Sequence, residues 1–518
     1  MKYQLLRQHF GYDAFREGQE ALIDAILAGR DVLGIMPTGS GKSICYQLPA
    51  LMLGGVTLVI SPLISLMKDQ VSALRQNGVA AAYLNSSLTP GQIQKALHNA
   101  RAGLYTIVYV APERLKTPDF QAFAREAQIP LIAVDEAHCV SQWGHDFRPS
   151  YLEIRRFIAS MPRRPAVAAF TATATERVSR DIATSLGLCQ PFKLVTGFDR
   201  KNLFFEIRRV ADKEKPLQVL GMLERLCGQS GIIYCATRRL VEKTCALLNQ
   251  HGHPAVAYHA GLDDALRRAS QDDFLFDKKP VMVATNAFGM GIDKSNVGFV
   301  IHYNMPRDIE SYYQEVGRAG RDGSPARCVL LYSKSDTALH TFLIERSFEN
   351  DEMDESQREL ARSGARQRLK LMIFLCAGGG CVRARILRYF GEQAPARCGA
   401  CGRCEPGQCL PAAPLPAAAK GRRRLDGTGQ QRDTSPAPAG DDALYEQLAR
   451  LRAQIAALQK VPAYVVFSNA TLMDMCAKKP ANRQTMLSVS GVGEQKLRLY
   501  GDLFLQQIAR YRAQREAD

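Results

Sequence analysis

Along the first 340 or so residues, short apolar runs alternate with longer segments whose apolar positions recur at helical spacing. Leu58-Val59-Ile60, Thr106-Ile107-Val108-Tyr109-Val110, Leu131-Ile132-Ala133-Val134 and Ala166-Val167-Ala168-Ala169-Phe170 show no alternation of polar and apolar positions. That is the pattern of strands covered on both faces. Strands separated by helical segments predict βαβ units around a parallel sheet. The rhythm restarts at Gly231-Ile232-Ile233-Tyr234-Cys235, Val281-Met282-Val283-Ala284 and Phe299-Val300-Ile301-His302-Tyr303. Two α/β lobes are therefore expected, residues 1–200 and 201–340, with the boundary inside Phe198 to Phe205.

Residues 341–409 change character. An acidic run from Glu349 to Glu355 reads as a solvated helix end or connector, and Leu369 to Leu375 continue a helical pattern. From 410 to 441, Pro and Ala dominate, large apolar side chains nearly vanish, and Lys420-Gly421-Arg422-Arg423-Arg424 forms a basic cluster. Such a stretch cannot bury enough surface to offset its ordering entropy, so a disordered basic linker is expected. Leu444, Leu448, Leu451, Ile455 and Leu458 restore the helical period, and 442–518 is expected to form an all-helical unit.

At 518 residues the chain is too long for one ordinary core, and roughly three or four folded units are expected. A net charge of +16 and a pI near 9.3 favour a polyanionic partner without separating DNA from RNA or a membrane surface. Met1 to Phe10 lack the charged, apolar and small-residue regions of a secretory signal, so a cytoplasmic location is expected. Ser43 to Met67 carry no charge and could span a bilayer by length. Pro49, Gly54-Gly55 and Pro62 interrupt them, which favours a buried helix, a turn and a strand from Val56 to Ser61. Of 14 cysteines, Cys381, Cys398, Cys401, Cys404 and Cys409 crowd together, and in a cytosolic chain such a cluster points to a metal before disulfides.

The strand-like Asp31-Val32-Leu33-Gly34-Ile35 leads into Met36-Pro37-Thr38-Gly39-Ser40-Gly41-Lys42-Ser43 and then a helical segment, the context of a phosphate-binding loop. Thr38, Gly39, Ser40 and Gly41 offer backbone N–H groups to phosphates, Lys42 a point charge, and Ser43 a hydroxyl for magnesium. The strict pattern opens with Gly, where this chain has Met36, and a glycine turn with a surface lysine is the plainer alternative. Asp135-Glu136-Ala137-His138 follow an apolar strand; Asp135 suits magnesium and Glu136 suits an attacking water. In the second lobe, Gln314 to Gly323 include Arg318 and Arg321, which can bring positive charge to a γ-phosphate when lobes close. Alone, such a turn is more often a solvated loop.

In this order, these blocks resemble a superfamily 2 helicase, and more narrowly the RecQ family of DNA helicases. The resemblance implies two RecA-like parallel-sheet lobes, a helical zinc-binding module and a C-terminal all-α HRDC-like bundle. It implies that Tyr12, Arg16 and Gln19 recognise adenine, and that His138 and Gln314 join Lys42, Ser43, Asp135, Glu136, Arg318 and Arg321 in catalysis. Phe170-Thr171-Ala172-Thr173-Ala174-Thr175 resemble the motif that couples the site to the DNA channel. Ser61 to Leu66, Ala111 to Arg114 and Val283-Ala284-Thr285 resemble loops that track a strand. Cys139 to Pro149 are similar to the family's aromatic-rich loop, so Ser141, Trp143, His145, Phe147 and Arg148 are expected at DNA, with Thr285; a packed Trp is the alternative. Cys381, Cys398, Cys401 and Cys404 reproduce the zinc spacing, with Cys409 a competitor for the fourth position and Cys376 a core thiol. Lys496, in Val489 to Lys496, is either a phosphate contact or part of a plain helix corner.

The resemblance covers about nine-tenths of the chain and departs in one place. Bacterial members usually carry a winged-helix domain between zinc module and HRDC, and only residues 405–441 lie there, short of a domain minimum of roughly 50 residues. The activity implied is ATP- and Mg²⁺-dependent 3′-to-5′ DNA unwinding in recombination and repair, with Zn²⁺ as a structural metal. The implied partners are single-stranded, 3′-tailed or branched DNA and possible single-strand-binding or repair proteins, for a monomer at the nucleoid. The rivals are a single-strand translocase that unwinds weakly, an RNA helicase of the Asp-Glu-Ala-Asp type and a non-catalytic DNA scaffold.

Overall fold

Seven strands form the first sheet: β1 (Val32–Ile35), β2 (Thr57–Ile60), β3 (Ala81–Leu84), β4 (Ile107–Val110), β5 (Leu131–Val134), β6 (Ala166–Thr171) and β7 (Phe192–Val195). All pair in parallel, in the order β3-β4-β2-β5-β6-β1-β7. β1, β2, β4, β5 and β6 are buried at every position because helices cover both faces, which accounts for their unbroken apolar runs. The order decides where chemistry gathers. β5, β6 and β1 are adjacent, so their C-terminal ends deliver three loops side by side, as parallel sheets do at ligand sites. The structure, a computed structural model, describes residues 1–141, 144, 146–288, 294–347, 355–411, 442–459, 461 and 463–517.

The second sheet holds β8 (Leu203–Arg209), β9 (Ser230–Tyr234), β10 (Ala255–Tyr258), β11 (Val281–Ala284), β12 (Val297–His302) and β13 (Ala326–Tyr332), also all parallel, in the order β10-β11-β9-β12-β13-β8. Residues 196–202 connect the two sheets. The uncharged stretch Ser43 to Met67 folds as a helix to Leu53, strand β2 and the start of a helix at Ile64. No described helix is long and apolar enough to cross a membrane.

Helices Lys334–Ser347, Glu355–Ala377 and Val382–Tyr389 pack on the second lobe. A cysteine-rich knuckle follows and closes the exposed edge of β8: Gly402 N–H donates to Phe205 O at 2.8 Å and Cys401 bridges Phe205 in parallel. An edge strand with free N–H and C=O groups is thereby covered. The C-terminal bundle has its own core of Leu444, Leu448, Ile455, Phe467, Phe504 and Ile508. Leu458, assigned to that face by periodicity, is 85% exposed, because the helix ends at Gln459 and no neighbour covers its last turn. The expected linker falls almost wholly outside the described residues, as does most of the acidic run.

The helix Ile309–Val316 meets the zinc-module helix Val382–Tyr389 through a carboxyl, with Tyr389 Oη donating to Glu310 Oε1. Burial first, then the neighbouring Asp308, push Glu310 up to about 7. The folded chain thus holds a proton that the unfolded chain releases near pH ~4.3. This group's stabilisation is complete below that value and is lost as pH rises through 7. Glu310→Gln keeps an acceptor for Tyr389 and should be more stable than the wild type at pH 8, by at most ~4 kcal/mol, with the gap shrinking toward pH 5.5. A gap that does not change with pH in thermal melts would contradict this.

Candidate nucleotide and DNA site

The phosphate loop leaves β1 and enters the helix Lys42–Leu53 through Gly39 and Gly41, both left-handed at φ +83° and +84°. Only glycine adopts these angles without strain. Met36 needs no such freedom: its N–H continues the sheet to Thr171 O, and its side chain lies in the core near Cys45. The departure from the strict glycine pattern is therefore a core residue at a strand end. Lys42 Nζ donates to Met36 O at 3.0 Å, and burial lowers its pKa against the pull of Glu136 and Asp135. Gln19 is 2% exposed and braces the loop, donating to Ser40 O and Gly41 O at 3.1 Å while accepting from Arg16 N–H. Arg16 Nη1 donates to Gly39 O. Two of the three residues expected at adenine thus hold the loop backbone, and half-buried Tyr12 lies seven residues before Gln19.

Asp135 and Glu136 stand at the end of β5. Glu136 is left-handed at φ +47°, an uncommon conformation for a residue with a side chain, and its N–H donates to Asp135 Oδ1. Burial, then the adjacent Glu136, raise Asp135 to about 7 despite Lys42. Two carboxylates and the half-buried Ser43 hydroxyl form an all-oxygen set that suits magnesium. A polar chain runs from here to the second lobe. His138 Nδ1 lies 3.3 Å from Glu136 Oε2 and 2.9 Å from Thr171 Oγ1; Thr171 Oγ1 donates to Thr173 O; and Gln314 Nε2 donates to Thr173 Oγ1 at 3.1 Å.

Gln314 belongs to the helix that feeds the arginine loop. Gly317 approaches the phosphate loop so closely that a Cβ there would sit 2.0 Å from Thr38 Oγ1. A Cβ on Gly39 would lie 3.5 Å from Arg321 Cα. Thr38 Oγ1 and Arg318 Nε are buried without a hydrogen-bond partner among the described residues, unused polar capacity on both sides of the junction. The arrangement can grip a polyphosphate from two lobes.

Cys381, Cys398, Cys401 and Cys404 place their Sγ atoms within 4.8 Å of one another, and Cys401 and Cys381 are 3.9 Å apart. A tetrahedron with Zn–S near 2.3 Å has edges of about 3.8 Å, so the set fits zinc. Burial works to raise the Cys401 thiol, but N–H groups of Cys404, Val382 and Arg403 prevail and bring it to about 7. Cys409 stands apart, with its Sγ 3.8 Å from Gly402 O, and Cys376 is a buried thiol.

Arg148 donates to Pro62 O at 3.1 Å and to Asp146 at 3.2 Å, joining the aromatic-rich loop to the loop after β2. Ser141 is buried, Phe147 is half-buried, and Thr285 directly follows β11 at 9% exposure. Trp143 and His145 lie outside the described residues. The turn holding Lys496, by sequence either a phosphate contact or a plain helix corner, is packed against its neighbours and leaves Lys496 half-buried. Gly491 N–H donates to Gly11 O at 2.9 Å, Leu497 N–H to Gly493 O, and Lys496 Nζ sits over the Phe467 ring with burial lowering its pKa to about 8. The bundle corner is packed on the first lobe, where Gly11 O takes the Gly491 N–H.

Sequence reading missed Arg200, Asn202 and Arg383, which tie the connection between sheets to both lobes and the zinc module. The available signal was the polar run Asp199-Arg200-Lys201-Asn202 inside a stretch read only as a boundary.

Residues 16–182 match the DEAD/DEAH box helicase family, 214–323 the helicase conserved C-terminal domain, 334–405 the RecQ zinc-binding family and 441–508 the HRDC domain. The chain is 38% identical to the ATP-dependent DNA helicase RecQ of Bacillus subtilis, covering 98% of both chains, and 36% identical to that of Haemophilus influenzae, covering 98% and 96%. The Bacillus alignment spans 590 positions against 518 residues, so at least 72 of its positions have no counterpart here. The Mycobacterium smegmatis helicase Lhr bound to ssDNA and AMP-PNP is similar in fold at TM-score 0.52 and 20% identity, over 71% of this chain and 56% of that one. Mss116p bound to ssRNA and AMP-PNP is similar at TM-score 0.55 and 16% identity, over 72% and 86%. With two parallel-sheet lobes, a four-cysteine zinc site and near-full-length similarity to RecQ proteins, the chain belongs to the RecQ family of ATP-dependent DNA helicases.

Proposed function

We propose that the chain couples ATP hydrolysis between its lobes to 3′-to-5′ movement on single-stranded DNA and to duplex unwinding in recombination and repair. The observation that carries this reading is the seating of the arginine loop on the phosphate loop, where Gly317 leaves no room for a side chain beside Thr38. On this reading Lys42 and the N–H groups of Thr38 to Ser43 hold the terminal phosphates. Glu136 orients the attacking water and takes its proton. Arg318 and Arg321 stabilise the charge that develops on the transferred phosphoryl group. Asp135 and Ser43 would hold magnesium, which supplies charge neutralisation at the phosphates when bound. The chain from Glu136 through His138, Thr171 and Thr173 to Gln314 supports signalling between hydrolysis and lobe position.

Tyr12, Arg16 and Gln19 are proposed at adenine, and Ser141, Trp143, His145, Phe147, Arg148 and Thr285 at the DNA strand. Zinc in the four-cysteine site is structural. The proposed units are 1–200, 201–340, 341–409 and 442–518, with 410–441 as a basic linker. We place the protein in the cytoplasm at the nucleoid, as a monomer that meets single-strand-binding protein on branched or 3′-tailed DNA. The missing positions relative to the Bacillus protein favour a second reading, a translocase that unwinds weakly.

Strand displacement should occur on a 3′-tailed duplex and not on a 5′-tailed one; hydrolysis without separation on either would replace unwinding with translocation. Lys42→Ala should lower DNA-stimulated hydrolysis by at least about 100-fold while single-strand affinity in fluorescence anisotropy stays within a few-fold. Equal loss of both would contradict the assignment. Cys401→Ser should hold less than one equivalent of zinc and melt lower or precipitate. A zinc-free protein of full activity would refute the structural metal.

A further inference from the structure

Residues 196–202 are the covalent connection between the sheets, and their Arg200 side chain does more than connect. Its Nη1 donates to Thr38 O at 2.6 Å and Gly317 O at 3.4 Å; its Nη2 donates to Ala319 O at 2.9 Å and Gly320 O at 2.7 Å; its Nε donates to Asn202 Oδ1 at 3.3 Å. The five N–H donors of the guanidinium meet five acceptors. One planar group thereby sets the spacing between the backbone of the phosphate loop and the backbone between Arg318 and Arg321. Gly39 lies at the crossing, where a Cβ would be 3.4 Å from Arg200 Nη1 and 3.5 Å from Arg321 Cα. Asn202 Nδ2 holds the same arginine loop through Gly320 O and Ser324 O.

The acceptors are carbonyls and an amide, with no carboxylate among them. Burial and the positive charges of Arg321 and Arg16 accordingly lower the pKa of Arg200. Charge in such a place costs free energy unless the geometry it enforces has a use. The connection is itself gripped from the zinc module. Arg383 Nη1 donates to Arg200 O at 2.8 Å and to Asp199, Arg383 Nη2 donates to Leu203 O, Glu392 accepts from Phe198 N–H, and Phe198 stacks on Phe390 with ring centroids 4.3 Å apart.

We propose that Arg200 is a positioning residue for ATP hydrolysis: it fixes the arginine loop against the phosphate loop, so that Arg321 acts in register, and the zinc module holds the connection from which Arg200 reaches. The proposal rests on the reading that Arg321 serves the transferred phosphoryl group. Lysine keeps the charge and stem at position 200 but cannot span both loops, because it lacks the planar fork.

The test is steady-state, DNA-stimulated hydrolysis by the full chain as wild type, Arg200→Ala, Arg200→Lys, Arg321→Ala and the Arg200→Ala/Arg321→Ala double variant, with thermal melts of each. Arg200→Ala should lower kcat about 10- to 100-fold with KM for ATP within a few-fold. Arg200→Lys should lose at least about tenfold while melting like the wild type. The double variant should be no slower than Arg321→Ala, since both changes remove one function. Wild-type kcat in Arg200→Ala, recovery by Arg200→Lys, or multiplied losses in the double variant would each overturn the proposal while leaving an impaired Arg321→Ala, and hence the arginine-loop reading, intact. Wild-type hydrolysis by Arg321→Ala would instead overturn that reading, and the proposal with it.

Discussion

The phosphate loop of one lobe and the arginine loop of the other meet backbone to backbone, and the arrangement of the charged groups around them depends on that junction. What joins the halves is a set of backbone carbonyls held by side chains from the connection between them. Arg200 takes Thr38 O on one side and Gly317, Ala319 and Gly320 O on the other. Backbone acceptors suit this role, since they carry no negative charge to repel a phosphate or to compete with it for the neighbouring cations. The Gly317 contact tolerates no side chain, so the junction is a matter of close backbone approach and not of loose apposition.

The zinc module acts on that junction from behind. Its knuckle extends the edge of β8, and its Arg383, Phe390 and Glu392 hold the chain segment that carries Arg200. The module that carries the four cysteines is therefore linked to the spacing of the two loops through one short connection. The C-terminal bundle meets the first lobe at Gly11, next to Tyr12.

The parts legible in the sequence were those encoded locally. The phosphate loop, Asp135 with Glu136 and the cysteine knuckle are each written in a few consecutive residues, and the fully buried strands are written as unbroken apolar runs. β7 has alternating half-buried and exposed positions because it is an edge strand, so it carries no such run. Arg200 was missed for a different reason: apart from Asn202, its partners lie 117 to 162 residues away, and the polar run around it does not identify them. Gln19 and Arg16 were legible as residues but not as braces of the loop, because that contact exists only once β1 and the preceding helix pack. Lys496 read equally as a phosphate contact and as a helix corner, because nothing local shows that the Gly491 N–H of that turn is taken by Gly11 O.

On the proposed reading, hydrolysis depends on the lobes being held closed on nucleotide when DNA is bound. Cys189 on the first lobe and Cys227 on the second are exposed and can carry nitroxide labels. The most direct measurement is the distance distribution between those labels by pulsed electron resonance, taken without ligand, with a non-hydrolysable ATP analogue, with single-stranded DNA and with both. A broad distribution that collapses to one narrow, short distance only with both ligands is the predicted result. A distribution that stays the same in all four conditions would contradict closure as the step that completes the site.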